Sequence, residues 1–164
     1  RLHLGDQELL DNILEIVDRH NVPHKYIEIE LTETTTDVDY AELKKIVNGL
    51  REQGISTSVD DFGIGYSSLN LIREMPWNVL KIDKSFLPDM DIEENQDPTK
   101  VKMLRHIITM SQDLGLECLV EGVETKAQVK LLLECKCYLA QGFYFDKPLP
   151  VAEFEKRLDY LHAC

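Results

Sequence analysis

Ile55-Ser56-Thr57-Ser58-Val59-Asp60-Asp61-Phe62-Gly63-Ile64-Gly65-Tyr66-Ser67-Ser68 is the stretch on which the fold turns. Thr57 and Val59 alternate with Ser56, Ser58 and Asp60, the period-2 pattern of a strand near 55–60. Two adjacent carboxylates close that strand, a Gly-x-Gly turn follows, and a helix is expected to start near residue 66. Carboxylates packed this tightly repel each other unless a cation or a proton separates them. The segment therefore proposes a metal site where a strand passes through a turn into a helix.

The pattern repeats along the chain. Helices are expected at 6–20, 38–53, 66–74, 99–115, 125–135 and 151–161, and strands at 26–31, 55–60, 78–82, 117–121 and 138–143. Leu9, Leu10, Ile13, Leu14 and Val17 share one face of the first helix, which Asp6 can cap. Pro98 suits a first helical position. Thr125 with Gln128 makes a capping box. Residues 88–98 read as a solvated acidic loop. Repeated strand–helix units imply a parallel α/β sheet, either open and doubly wound or part of a (β/α)8 barrel. Strand parity favours the barrel. Ile27, Ile29 and Leu31 oppose Glu28 and Glu30; Leu80 and Ile82 oppose Val79, Lys81 and Asp83; Cys118 and Val120 oppose Glu117, Leu119 and Glu121. A sheet buried between two helical layers is apolar on both faces, whereas a barrel interior carries chemistry at its C-terminal mouth. Five strands do not close an eight-stranded barrel. The chain is thus expected to be one partial domain, an incomplete TIM-type barrel over 1–164 whose N-terminal strands are missing.

Composition bounds the function. The chain has 164 residues, 43% hydrophobic, with a formal net charge of −12. That balance argues against nucleic acid or an anionic membrane surface as partner. With no apolar run of membrane-spanning length and no signal peptide, a cytoplasmic setting is expected. Cys118 reads as a small buried residue, and Cys135-x-Cys137 lacks the second pair or neighbouring His of a zinc site. Phe143, Tyr144 and Phe145 read as packing residues.

The strand ends carry Glu30, Asp60, Lys81, Asp83, Glu121 and Gln141 with one inward parity, and Asp61 sits where its strand becomes a loop. Taken singly, each acid reads as a cap or a solvated residue, and Lys81 as a salt-bridge partner of Glu121. Taken jointly, hard carboxylate oxygens without His or Cys suit Mg²⁺ or Mn²⁺. Two such ions support in-line displacement at phosphorus, and a lysine beside them orients water or steadies developing charge.

At these residues the chain resembles the EAL-domain family of cyclic diguanylate (c-di-GMP) phosphodiesterases. The resemblance rests on Glu30-Leu31-Thr32-Glu33-Thr34, on residues 60–68, on Lys81-Ile82-Asp83, on Glu121-Gly122-Val123-Glu124-Thr125, and on Gln141-Gly142-Phe143-Tyr144-Phe145-Asp146-Lys147-Pro148. It implies a modified TIM barrel with one antiparallel strand, and hydrolysis of c-di-GMP to linear pGpG with two Mg²⁺ or Mn²⁺ ions. It makes Glu30, Asp60, Asp61, Asp83 and Glu121 metal ligands or their supports. Lys81, Glu121 and Gln141 become catalytic, and Gln141 and Pro148 contact substrate. Glu33 and Glu124 would anchor the 61–68 loop that couples dimerisation to metal binding. The Glu-Ala-Leu segment that names the family and an Asn-bearing strand are absent, so little catalysis is expected of this chain alone. Ile64, Lys136, Tyr138 and Val120 depart from usual family residues without removing a ligand. The expected partners are c-di-GMP, a second copy of the chain, and an upstream sensor or GGDEF-type domain in a parent protein that can be membrane-tethered. A c-di-GMP receptor without turnover and a pure dimerisation module remain the alternatives.

Overall fold

A computed structural model describes residues 7–32, 40–64, 68–89 and 98–162. Helix α1 (Gln7–Arg19) precedes strand β1 (Glu28–Thr32), then α2 (Tyr40–Glu52), β2 (Ser56–Phe62), α3 (Ser68–Glu74), β3 (Val79–Ile82), α4 (Pro98–Asp113), β4 (Glu117–Val120), α5 (Lys126–Glu134), β5 (Leu139–Ala140) and α6 (Val151–His162). Short 3-10 turns lie at His24–Tyr26 and Lys84–Phe86. The expected Asp6 cap, Glu33, Gly65-Tyr66-Ser67 and most of the acidic stretch (90–97) lie outside the described residues.

The five strands are parallel and lie in the order β1-β2-β3-β4-β5. This order separates the two architectures. A doubly wound sheet reverses direction at a switch point, with helices on both faces. Here each crossover advances one strand the same way, and right-handed crossovers then place every helix on one face. The sheet is a barrel wall, with β1 and β5 as its edges among the described residues.

Parity fixes which side each residue faces. Val59, Leu80, Ile82 and Val120 are fully buried under the helices. Val59 and Leu80 join Leu43 and Val47 of α2 and Trp77 in one cluster, whereas Ile82 and Val120 join Leu104 and Ile108 of α4 and Leu131 and Leu132 of α5 in another. Leu10 of α1 packs with Ile46, Leu50 and Ile55, so the amphipathic stripe of α1 rides on α2. Thr125 Oγ1 accepts from Gln128 N–H at 3.2 Å while Gln128 Oε1 accepts from Thr125 N–H at 3.0 Å, completing the capping box. Pro98 opens α4 as expected.

Two expectations are corrected. The strand expected over 138–143 spans only Leu139–Ala140. After Ala140 the chain bends around Val123, whose N–H donates to Gln141 O (3.0 Å) and whose carbonyl accepts from Tyr144 N–H (2.9 Å). Only glycine fits at 142, where a Cβ would stand 2.2 Å from Val123 O. Phe143, Tyr144 and Phe145 are exposed rather than packed into the core, because they follow the edge strand and no described element covers them. Tyr144 and Phe145 meet edge to face, 5.3 Å between ring centroids.

Candidate metal and hydrolytic site

Lys81 decides the site. It lies on β3, on the sheet face opposite Leu80 and Ile82, with its ammonium almost wholly shielded from solvent. Nζ reaches Glu30 Oε1 on β1 at 2.7 Å, Glu121 Oε1 just beyond β4 at 2.9 Å, and Asp60 Oδ1 on β2 at 3.2 Å. One cation thus ties four strand ends together. Burial by itself disfavours the ammonium. The hydrogen bond that Nζ donates to Glu30, with the ion pairs to Glu121 and Asp60, outweighs it and holds Lys81 far above the usual lysine range.

Asp61 is the second unusual residue. The strand continues through it to Phe62, where the expectation was a loop, but its φ is +54° and the β2–β3 register breaks between Val59 and Phe62. A non-glycine residue in the left-handed region is uncommon, although Asp tolerates it better than most. The break lets two successive carboxylates contribute oxygens to one spot, where strand alternation would send them to opposite faces. Asp60, Asp61 and Glu121 offer carboxylate oxygens all within 4.8 Å of one another. Desolvation, then repulsion from Asp60 and Asp83, pushes the Asp61 carboxyl above the usual range, with Lys81 offsetting part of the shift.

Asp60 Oδ1 is buried and has no hydrogen bond, although Lys81 Nζ is at ion-pair distance. A buried carboxylate oxygen without a hydrogen bond, beside two other carboxylates and no His or Cys, fits a hard divalent cation. The donor set therefore suits Mg²⁺ or Mn²⁺.

Asp83 follows β3 and is used locally: its Oδ1 accepts from Ser85 N–H at 2.8 Å, capping the 3-10 turn. Burial would raise its carboxyl, but hydrogen bonds from Ser85 and Lys84 hold it below the usual range. It stands outside the three-acid group yet acts electrostatically on Asp61. Gln141 and Pro148 are exposed; the Gln141 backbone ties β4 to the turn through Val120 O and Val123 N–H. Glu124 is exposed, with its N–H donating to Gln128 Oε1 at 2.8 Å. Glu33 and the centre of the 61–68 loop are outside the described residues.

Two features went unread in the sequence. Ser58 is fully buried on the Asp60 face with an unsatisfied hydroxyl; its parity with Asp60 was the available signal. Gly122 has φ +66°, and a Cβ there would stand 2.5 Å from Lys84 Cβ, so only glycine lets the chain leave β4 beside the Lys84 turn. Nothing in the spacing announces that contact.

Comparison with known proteins adds identity to the geometry. The family profile described as EAL domain matches residues 2–148. The chain is 38% identical over 156 residues to the cyclic di-GMP phosphodiesterase NbdA of Pseudomonas aeruginosa, covering 95% of this chain and 19% of that protein. The crystal structure of the EAL domain of Mycobacterium smegmatis DcpA superposes with a TM-score of 0.87 at 31% identity, covering 97% of this chain and 70% of that one. Klebsiella pneumoniae BlrP1, solved as a manganese and cyclic di-GMP complex, gives a TM-score of 0.75 at 27% identity, over 87% and 36% of the two chains. The chain spans less than a fifth of the length of the first curated relatives it matches.

Proposed function

Because the chain belongs to the EAL domain family, we propose that it supplies the acid-and-lysine wall of a c-di-GMP phosphodiesterase site. The observation that carries this reading is the convergence of Glu30, Asp60 and Glu121 on Lys81, with Asp61 turned into the same spot.

Asp60, Asp61 and Glu121 would hold divalent ions, with Glu30 alongside and Asp83 supporting Asp61. Bound there, Mg²⁺ or Mn²⁺ supplies Lewis acidity and the positive charge that an anionic phosphodiester needs beside so many carboxylates. The remaining work belongs to the protein. Lys81 Nζ, charged at neutral pH and held by Glu30 and Glu121, would turn the N–H on the Asp60 side, where no hydrogen bond is made, towards a water or a phosphoryl oxygen as charge develops. The three acids position that ammonium and limit its rotation. Gln141 and Pro148, exposed beyond β4 and β5, would face the dinucleotide.

Partners belong to the same proposal. The much greater length of the curated relatives supports a sensor or GGDEF-type domain in the whole protein. Two sheet edges left uncovered among the described residues, with Phe143 and Phe145 exposed just after β5, support self-association or further barrel strands at those edges. No helix among the described residues is long and apolar enough to cross a membrane; with the acidic balance, this supports a cytoplasmic domain.

The test is c-di-GMP turnover by the full-length protein in Mg²⁺ or Mn²⁺, with linear pGpG resolved chromatographically. Turnover that Asp60→Asn and Lys81→Met both abolish is the expected result. Binding of c-di-GMP without product would instead assign a receptor role, and neither binding nor turnover would sink the reading.

A further inference from the structure

The other end of the sheet, where the strands begin, carries a pocket of about 370 Å³ between the C-terminal ends of α2, α3 and α4. Its position opposite the acid cluster follows from the parallel strands. Met75 and Trp77, both buried, form its floor; Leu69 and Leu114, both more than half exposed, form its walls. Trp77 is fixed by Nε1–H donating to Leu71 O at 3.0 Å.

Two arginines line the same pocket, and no carboxylate does. Arg51 makes no side-chain hydrogen bond or ion pair among the described residues. Arg73 gives Nε and Nη2 to Glu74 Oε1 at 2.9 and 2.7 Å, which leaves Nη1 uncommitted. Arg73 is thus paired with Glu74, and Arg51 remains as an unpaired cation among the described residues of a chain of net charge −12. The helix ends at the pocket are partly capped: Gly115 N–H donates to Gln112 O and Leu116 N–H to Ser111 O, both at 3.0 Å. The negative ends of these helices are thereby partly satisfied, and Arg51 supplies the unpaired positive charge beside them. An apolar floor, exposed leucine walls and cations that present several N–H donors make an amphipathic receptor, and its volume falls within the range of about 300–1,000 Å³ usual for small-ligand sites.

We propose that this pocket binds a small amphiphilic anion, with an alkyl or aryl body against Trp77, Met75, Leu69 and Leu114 and a carboxylate or phosphate head on Arg51 and Arg73. Guanidinium pairs with either head in a fork geometry. This site stands independently of the phosphodiesterase reading.

Trp77 is the single tryptophan of the chain, so its fluorescence reports on the pocket floor directly. The experiment titrates the full chain with octanoate and, in parallel, octyl phosphate; octanol and octylamine are the controls. Saturable change in Trp77 emission with at least one anion, confirmed calorimetrically, is expected. Arg51→Glu and Leu69→Glu should each weaken binding by about tenfold or more, since one removes a charge-assisted contact and the other an apolar wall. Both positions are exposed, so unchanged melting temperatures show that the variants fold. The head group that binds more tightly identifies the ligand class. An equal response to octanol or octylamine, no saturable response to either anion, or wild-type affinity in Arg51→Glu overturns the proposal.

Discussion

Replacing Lys81 by Met tests the site most directly, because it removes the one cation at the centre of the cluster and keeps the length of the stem. Lys81 has 7% of its side chain exposed; its partners Asp60, Glu121 and Glu30 have 18, 21 and 47%. Removing one member of a fully buried pair costs about 3–5 kcal/mol, whereas a surface pair contributes about 0–1 kcal/mol. The exposure of the three acids puts this cluster between those limits, at about 2 kcal/mol. In a domain of this size that lowers Tm by about 4–8 °C. Four carboxylates (Glu30, Asp60, Asp61, Glu121) against one ammonium have a formal charge of −3, which becomes −4 in the variant. Divalent cations should then rescue it: an ion at about 100 times its Kd contributes about 2.7 kcal/mol. Thermal unfolding by circular dichroism, with and without Mg²⁺ or Mn²⁺, reads both effects. The pH dependence has a definite sign. The folded pKa is raised above the ordinary 10.5, so the stabilisation is complete below that value and is lost as pH rises towards the folded one. A Lys81→Met variant that melts within 1 °C of the wild type, or higher, would refute this account of the cluster.

Three further predictions follow from the same structure. Asp60→Asn should abolish most of the Mn²⁺-induced rise in Tm, because it replaces a buried carboxylate, one of whose oxygens has no hydrogen bond, by a neutral amide; an undiminished rise would place the ion elsewhere. Thr125→Ala should cost about 1 kcal/mol, or about 2–4 °C in Tm, by opening the capping box of α5, and amide exchange should speed up first at the start of that helix. His24 should titrate above its ordinary 6.5, chiefly through the hydrogen bond to Asp18 and then that to Gln53 O. Its small stabilising contribution is therefore present below pH 6.5 and lost as pH rises through the folded value. An NMR titration should show Asp18→Asn lowering that pKa, and an unmoved curve would remove Asp18 as the cause.

Much of the fold was legible from short-range pattern. The alternation of Thr57 and Val59 with Ser56, Ser58 and Asp60, the stripe of α1, Pro98 at the head of α4 and the Thr125–Gln128 box all depend on residues within a few positions of each other. Strand and helix hydrogen bonding acts over that distance. The acids were legible too, because parity assigns a face to each residue once a strand is recognised. The end of β5 was less legible: the bend after Ala140 is set by Val123, far away in sequence, and by a backbone approach that only Gly142 permits.

The sequence alone therefore determined the alternating elements, the sheet face of each polar residue and the divalent-cation character of the donor set. Only the tertiary structure decided the strand order that makes a barrel wall of the sheet. It also brought Lys81 within reach of three acids at the ends of three other strands, turned Asp61 through a left-handed backbone angle, and set Arg51 and Arg73 around Trp77 at the opposite end. The physical reason is range. Periodicity and capping are fixed by neighbours along the chain, whereas convergence depends on register between strands and on how helices seat against the sheet.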